Sequence, residues 1–355
     1  MYIERIEVEN FRGIRKTSID GLRQLTILIG RNGAGKSSLL EALYLVSSCA
    51  SIRDDIRGEI KLDYLISRRG GRGDWNTSRD VLWYQMDTSQ DIVIRLHVSG
   101  RPLEFHIFDR NISLSAPHLE FPVCLLTEEG FIELSNGYLI SKSGTSYTRH
   151  EDLLGKYSDV KKLLENVLFI DHKLLSKPSL IEGYAWAKVA SKRLDKEIVS
   201  MIRDEFEMEA EGLTFLPIGK TYLLALQTSK TTVRIDDLGD GARIAILISL
   251  LLLASNPTLV LIEEPENHMH PAGLKSLTSF ILKLAKSRSF QLLVSTHSVE
   301  FVSIAKEVAE NLGIEASVIY LERNSEGVVA PRSFSLEDAE LLRKLGIDIR
   351  LLYVF

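Results

Sequence analysis

Eight residues constrain this chain more than any others: Gly30-Arg31-Asn32-Gly33-Ala34-Gly35-Lys36-Ser37, a G-x-x-x-x-G-K-S run. An apolar strand-like stretch, Leu25–Ile29, leads into it, and a helix-like stretch, Ser38–Val46, follows. Strand, glycine loop and helix start together form the setting in which this pattern cradles phosphate. Gly30, Gly33 and Gly35 let backbone N–H groups turn inward as a nest for anionic oxygens. The helix opening at Lys36 adds its positive dipole end. The Lys36 ammonium is expected to reach the β- and γ-phosphates, and the Ser37 hydroxyl to ligate Mg²⁺. Nucleotide contacts are therefore expected from Gly30, Asn32, Gly33, Ala34, Gly35, Lys36, Ser37 and Ser38, with ATP and Mg²⁺ as the bound species.

With 355 residues the chain can bury a large core, as one α/β domain or two lobes. A net charge of −5 argues against a wholly basic nucleic-acid coat and leaves room for a local basic groove. Cys49 and Cys124 lie far apart without metal spacing and read as buried free thiols. Met1–Glu7 reads as a charged strand rather than a signal peptide. The most apolar stretch, Ile244–Ala254, is about half a membrane span and reads as a core helix. A cytoplasmic location with no membrane partner is expected.

Strands are predicted at Ile3–Val8 and Lys16–Ile19, and polar loop with short helical pieces at Ser51–Arg79. Val81–Met86, Ile92–Val98, Leu103–Phe108 and Phe131–Leu134 read as short strands of an antiparallel sheet. Asn136-Gly137 offers a two-residue turn into Tyr138–Ile140. Glu151–Glu211 reads as helical and charged, without sustained heptads. Strands return at Leu213–Leu216 and Tyr222–Gln227. Helix Ala242–Ala254, strand Leu259–Ile262, helix Pro271–Lys286, strand Gln291–Ser295 and helix Ser298–Ala309 then alternate, which favours a parallel sheet.

Leu259-Val-Leu-Ile-Glu263-Glu264 is an apolar strand ending in two acids, as in a Walker B element. Glu263 can approach Mg²⁺, and Glu264 can polarise a water toward the γ-phosphate as general base. His297, after the next strand, is positioned to contact the γ-phosphate. Asp237-Leu238-Gly239-Asp240-Gly241-Ala242-Arg243 makes a tight turn opening a helix. Arg68, Arg69, Arg72 and Arg79, with Trp75 among them, form a basic and aromatic patch. It reads either as a nucleic-acid contact or as arginines paired within the chain. His268 and His270, near Glu264 and Glu266, read as loop residues rather than a metal site.

The turn at Leu238–Gly241 resembles the signature motif of ABC-class ATPases, whose motif order (Walker A, signature, Walker B, histidine switch) matches this chain. In that class one subunit's signature helix faces the nucleotide held by the other subunit, so Leu238, Gly239, Asp240 and Gly241 are implied as nucleotide contacts in trans. Ile3-Glu-Arg-Ile-Glu-Val-Glu-Asn-Phe-Arg-Gly13 looks like the opening of the SMC/RecF-like branch. Leu238–Arg243 and Ile262–Pro271 resemble AAA_15/AAA_21-type proteins, which include the ATPase parts of the overcoming-lysogenization-defect (OLD) nucleases. Leu342–Arg350 looks like the ending of such proteins.

The resemblance implies a P-loop ABC-type head spanning 1–355. Residues 1–150 would supply Walker A and an antiparallel β lobe. A helical insertion would cover 151–211, and 212–355 would carry signature, Walker B and histidine switch on a mainly parallel core sheet. It implies an ATP-hydrolysing homodimerisation switch in nucleic-acid maintenance or defence, with Glu264, His297 and Lys36 catalytic and Ser37 and Glu263 on Mg²⁺. The alternative is a weakly hydrolysing module gating an effector protein; DNA or RNA stays open as a partner.

Three positions depart from the family pattern. Gly239 replaces the signature serine, Asp240 stands where glycine is usual, and Glu263 replaces the Walker B aspartate. The 57 residues after Ser298 are too few for the TOPRIM nuclease domain of the OLD nucleases. The Mg²⁺-sensing glutamine has no secure place, Gln85 being the candidate.

Overall fold

A computed structural model describes residues 1–109, 123–140, 147–149, 151–205 and 209–351. Among them a six-stranded core sheet runs in the order Val167–Ile170, Leu259–Glu263, Gln291–Thr296, Leu25–Gly30, Ala316–Arg323, Val329–Phe334. The first five strands are parallel, and the last pairs antiparallel. Parallel strands covered on both faces need continuous apolar sequence. All of Leu25–Gly30 and the first four residues of Leu259–Glu263 are buried. Register does the rest: Glu263 pairs with Ser295 and Thr296 with Ile29. The phosphate loop, the paired acids and the histidine therefore emerge together at the carboxyl edge of the sheet, where ligands bind in open α/β folds.

A second sheet of eight described strands is antiparallel, ending in Arg101–Ile107, Ile92–Val98, Ile3–Phe11 and Ile14–Asp20. Helix Lys36–Ser47 packs with both sheets and is buried on nearly every face. That explains why apolar residues occupy all its faces, Glu41 being the buried exception, since a helix hydrophobic all round must lie inside. Helices Asp240–Ala254, Pro271–Arg288 and Val299–Leu312 cover the opposite face of the core sheet. Gln291, fully buried, exchanges two 2.8 Å hydrogen bonds with the Ile3 backbone and so fastens the N-terminal strand to the core sheet.

The structure corrects three local expectations. Val81–Met86 is not a strand but two 3₁₀ turns, Arg79–Leu82 and Tyr84–Met86. Leu82 and Trp83 are both buried, and a strand with one solvated face buries alternate residues instead. Val167–Ile170, inside the segment expected to be helical, is a core strand beside Leu259–Glu263. Four apolar residues are too short a run for periodicity to separate strand from buried helix. The turn at Asn136-Gly137 spans four residues, because Glu133 pairs with Tyr138, and Gly137 sits at φ 75°. The Ser51–Arg79 segment holds the helix Lys61–Arg68 and the short turn of helix Trp75–Ser78.

Beneath the site lies a buried ionic network. Asp54 accepts from the Tyr44 hydroxyl (2.6 Å), from Arg57 Nη1 (2.7 Å) and from the backbone N–H groups of Ile56 and Arg57. Burial opposes its charged form, but Arg57 and these hydrogen bonds outweigh it and hold the carboxyl below its ordinary value. A depressed carboxyl contributes stability above its unfolded pKa and loses it as pH falls through the folded one. Asp54→Asn should therefore cost about 3 kcal/mol in chemical denaturation at neutral pH. The difference from wild type should shrink in acid; a constant difference would contradict the pairing.

Candidate nucleotide site

The phosphate loop closes one side of a cavity of about 430 Å³, lined by Asn32 to Ser38, Gly13, Arg68, Arg69, Asp171, His172, Lys173, Glu264, His297 and Arg323. Two glycines are demanded by geometry. A Cβ at Gly30 would lie 2.3 Å from the Leu321 carbonyl oxygen. Gly35 caps the helix at φ 102°, a conformation that strains any side-chain residue. Lys36 is 5% exposed, and its Nζ donates to the Gly30 and Arg31 carbonyls at 2.8 and 3.1 Å. Burial lowers the Lys36 ammonium to about 8, against the opposing pull of Glu264, Glu266 and Glu263. In this form the lysine satisfies the loop's own carbonyls, and an incoming phosphate would compete for the same three N–H bonds.

Glu264 leaves the strand with φ 45°, its backbone N–H on the Ser295 carbonyl at 2.8 Å. Its Oε1 lies 3.4 Å from His297 Nε2, and its Oε2 accepts from Asn267 at 2.9 Å. Burial, then the charge of Lys36, lowers His297 below its ordinary value, so the imidazole is neutral near pH 7 and carries one N–H to donate. Glu263 is mostly buried; burial pushes its carboxyl up to about 7, while Arg68 pulls it down. Its Oε2 is ion-paired with Arg68, and its Oε1 is buried without a hydrogen-bond partner.

Of the two readings of the arginine patch, three of its four arginines follow the second and pair within the chain. Arg68 turns inward onto Glu41, Glu263 and, at 2.6 Å, Asp171. Arg69 binds Glu41 at 2.9 Å and the Ser38 hydroxyl at 3.2 Å. Arg79 pairs with Asp109 at 2.5 Å, and Trp75 is buried against Trp83. A fully buried Glu41, which also holds Arg12 at 2.9 Å, needs these cations. Nothing in the local pattern signals pairs 27 and 28 residues apart. Asp171 did carry a signal, since it ends the apolar run Val167–Ile170 as Glu263 ends its own strand.

Leu238–Gly241 does not line the phosphate-loop cavity of its own chain, although Asp240 lines an adjoining hollow with Glu263 and Glu264. Gly239 caps helix Asp240–Ala254, and the Asp240 carboxylate pairs with Arg243 at 3.3 Å. That cation offsets the acid at the helix start. Gln85, at φ 54°, does not reach the cavity. His270 caps helix Pro271–Arg288, its Nδ1 accepting from Ala272 N at 3.4 Å. No cluster of metal-ligating side chains forms among the described residues. No described helix is long and apolar enough to cross a membrane.

Residues 1–101 match the family described as "AAA ATPase domain", and residues 149–303 match "AAA domain, putative AbiEii toxin, Type IV TA system". The chain is 22% identical to an ATP/GTP phosphatase of Helicobacter pylori, over 95% of this chain and 97% of that one. It is 26% identical to the DNA replication and repair protein RecF of Francisella tularensis, over 39% of this chain and 36% of that protein. In fold it is similar to an SMC head solved bound to the C-winged helix domain of ScpA. That match has a TM-score of 0.58 and 12% identity, and covers 96% of this chain and 100% of that one.

Proposed function

We propose, for a chain that belongs to the SMC/RecF-like branch of the ABC-type ATPases, that it hydrolyses ATP and uses the γ-phosphate to join two copies of itself. One observation carries the reading: the cavity holds the phosphate loop, Glu264 and His297, while the signature turn of the same chain lies outside it. A complete site of this class then needs the signature helix of a second copy. Gly239 leaves the first N–H groups of a fifteen-residue helix free for an anion.

In the proposed reaction Lys36 leaves the Gly30 and Arg31 carbonyls for the phosphates. Glu264 takes the proton of a water as its oxygen attacks the γ-phosphorus and the bond to ADP breaks. His297 donates an N–H to the γ-phosphate. Ser37 and Glu263 would hold Mg²⁺. The orphaned Oε1 of Glu263 and a serine hydroxyl make an oxygen set that suits a hard cation, which would neutralise charge on the phosphate oxygens. Hydrolysis would remove the bridging γ-phosphate and loosen the dimer. Release of inorganic phosphate from Mg²⁺-ATP tests the chemistry; a wild-type rate equal to that of Glu264→Gln would refute it. With Lys36, Glu264 and His297 all at the cavity, the alternative of a weakly hydrolysing module that gates an effector protein is not favoured.

The output we propose is nucleic-acid maintenance or defence in the cytoplasm; the likeness to the DNA replication and repair protein RecF supports the maintenance reading.

The missing signature serine gives a gain-of-function test. Gly239 has φ −58° and ψ 144°, and a Cβ there would meet no atom within 4 Å. Gly239→Ser should fold normally, since serine is at least as good a helix cap. One added hydrogen bond to a charged phosphate at each of the dimer's two sites should tighten the ATP-dependent dimer roughly a hundredfold. Nucleotide affinity of the monomer should not change. An unaltered dimer constant in sedimentation would speak against the trans contact.

A further inference from the structure

Glu266, two residues beyond the proposed base, reaches back to the histidine loop. Its Oε1 accepts from the Thr296 hydroxyl at 2.5 Å and from the His297 backbone N–H at 3.0 Å. The same Thr296 oxygen accepts from Ser298 N at 2.9 Å, so one carboxylate organises three consecutive residues about thirty positions away. From the other side, Arg350 donates to the His297 carbonyl at 3.3 Å. The main chain of His297 is thus gripped at both its N–H and its C=O, while the imidazole faces the cavity and Glu264.

The loop that carries Glu266 has a reason to need such a tie. Glu264 and His268 hold φ of 45° and 63°, left-handed conformations that disfavour side-chain residues and persist only when surrounding contacts impose them. Hydrogen bonds to an ionised acceptor are the strong kind, and Glu266 makes two of them across the gap between strands. Glu264 and His297 touch each other directly only at 3.4 Å.

We infer that Glu266 is a positioning residue that locks the backbone of His297 to the loop carrying Glu264, so that base and γ-phosphate contact move as one unit. This rests on the proposed hydrolytic reading for its kinetic consequence, but not for its structural one. A residue that merely held the loop together would act on folding and on nucleotide affinity instead.

The test compares Glu266→Ala with Glu266→Gln in the full chain. Glutamine keeps a carbonyl acceptor for both donors, and alanine keeps none. Amide exchange over Thr296–Ser298, followed by mass spectrometry on the nucleotide-free protein, should stay slow in wild type and Glu266→Gln. In Glu266→Ala it should speed up about tenfold or more. With ATP, Glu266→Ala should lose about tenfold or more in kcat, with ADP affinity by calorimetry within about twofold of wild type. Glu266→Gln should keep most of the rate. Unchanged exchange in Glu266→Ala overturns the inference, as does a kcat loss matched by an equal loss of ADP affinity. If wild type itself releases no phosphate, the hydrolytic reading falls while the exchange experiment still decides the brace. Thr296→Val, which removes only the hydroxyl bond, should lie between the two, and exchange as slow as wild type there would count against it.

Discussion

Lys36→Ala should bind ATP roughly a hundredfold more weakly than wild type while remaining folded. The lysine places three N–H donors and a full charge at the floor of the cavity. Losing a charge-assisted contact to phosphate costs about 3 kcal/mol, which is two decades of affinity. Stability should change little, because relief of a buried ammonium that is disfavoured where it stands, as its lowered pKa of about 8 reflects, offsets the lost hydrogen bonds to the Gly30 and Arg31 carbonyls. Titration calorimetry with ATP checks the first point and thermal melting the second. An unchanged affinity would remove the phosphate loop from the binding site.

Glu264→Gln should bind ATP as wild type does and hydrolyse it about 10²- to 10³-fold more slowly, the range expected for a lost general base. The amide keeps the length of the side chain and can still engage Asn267, which now holds Glu264 Oε2 at 2.9 Å. It cannot accept the proton of an attacking water. Single-turnover phosphate release separates this from a slow product step, and a wild-type rate would unseat Glu264.

Much of this site could be read from the chain because its motifs sit at strand ends. Gly30–Ser37, Glu263-Glu264 and His297 each follow an apolar run, and parallel register brings such ends to one edge. The helix at Asp240–Ala254 was legible for the same reason, as a buried run opened by a glycine. What stayed open depends on distant pairing. Internal pairing of Arg68 and Arg69 was one of two readings, but their partner, the fully buried Glu41, lies too far along the chain to be named from the pattern. Val167–Ile170 is too short to declare itself a strand, so Asp171 at its end went unassigned. Glu266 looks like one more acid in a polar loop, since its partners Thr296 and His297 lie a whole helix and strand further on.

On the proposed function, ATP joins two chains through sites that neither completes alone. The most direct measurement is the solution mass of Glu264→Gln by light scattering, with Mg²⁺-ATP and then with Mg²⁺-ADP. The mass should double from that of the 40.0 kDa chain with ATP and stay single with ADP. A mass indifferent to the nucleotide would contradict it, and would leave an ATP-binding chain whose signature turn meets no partner.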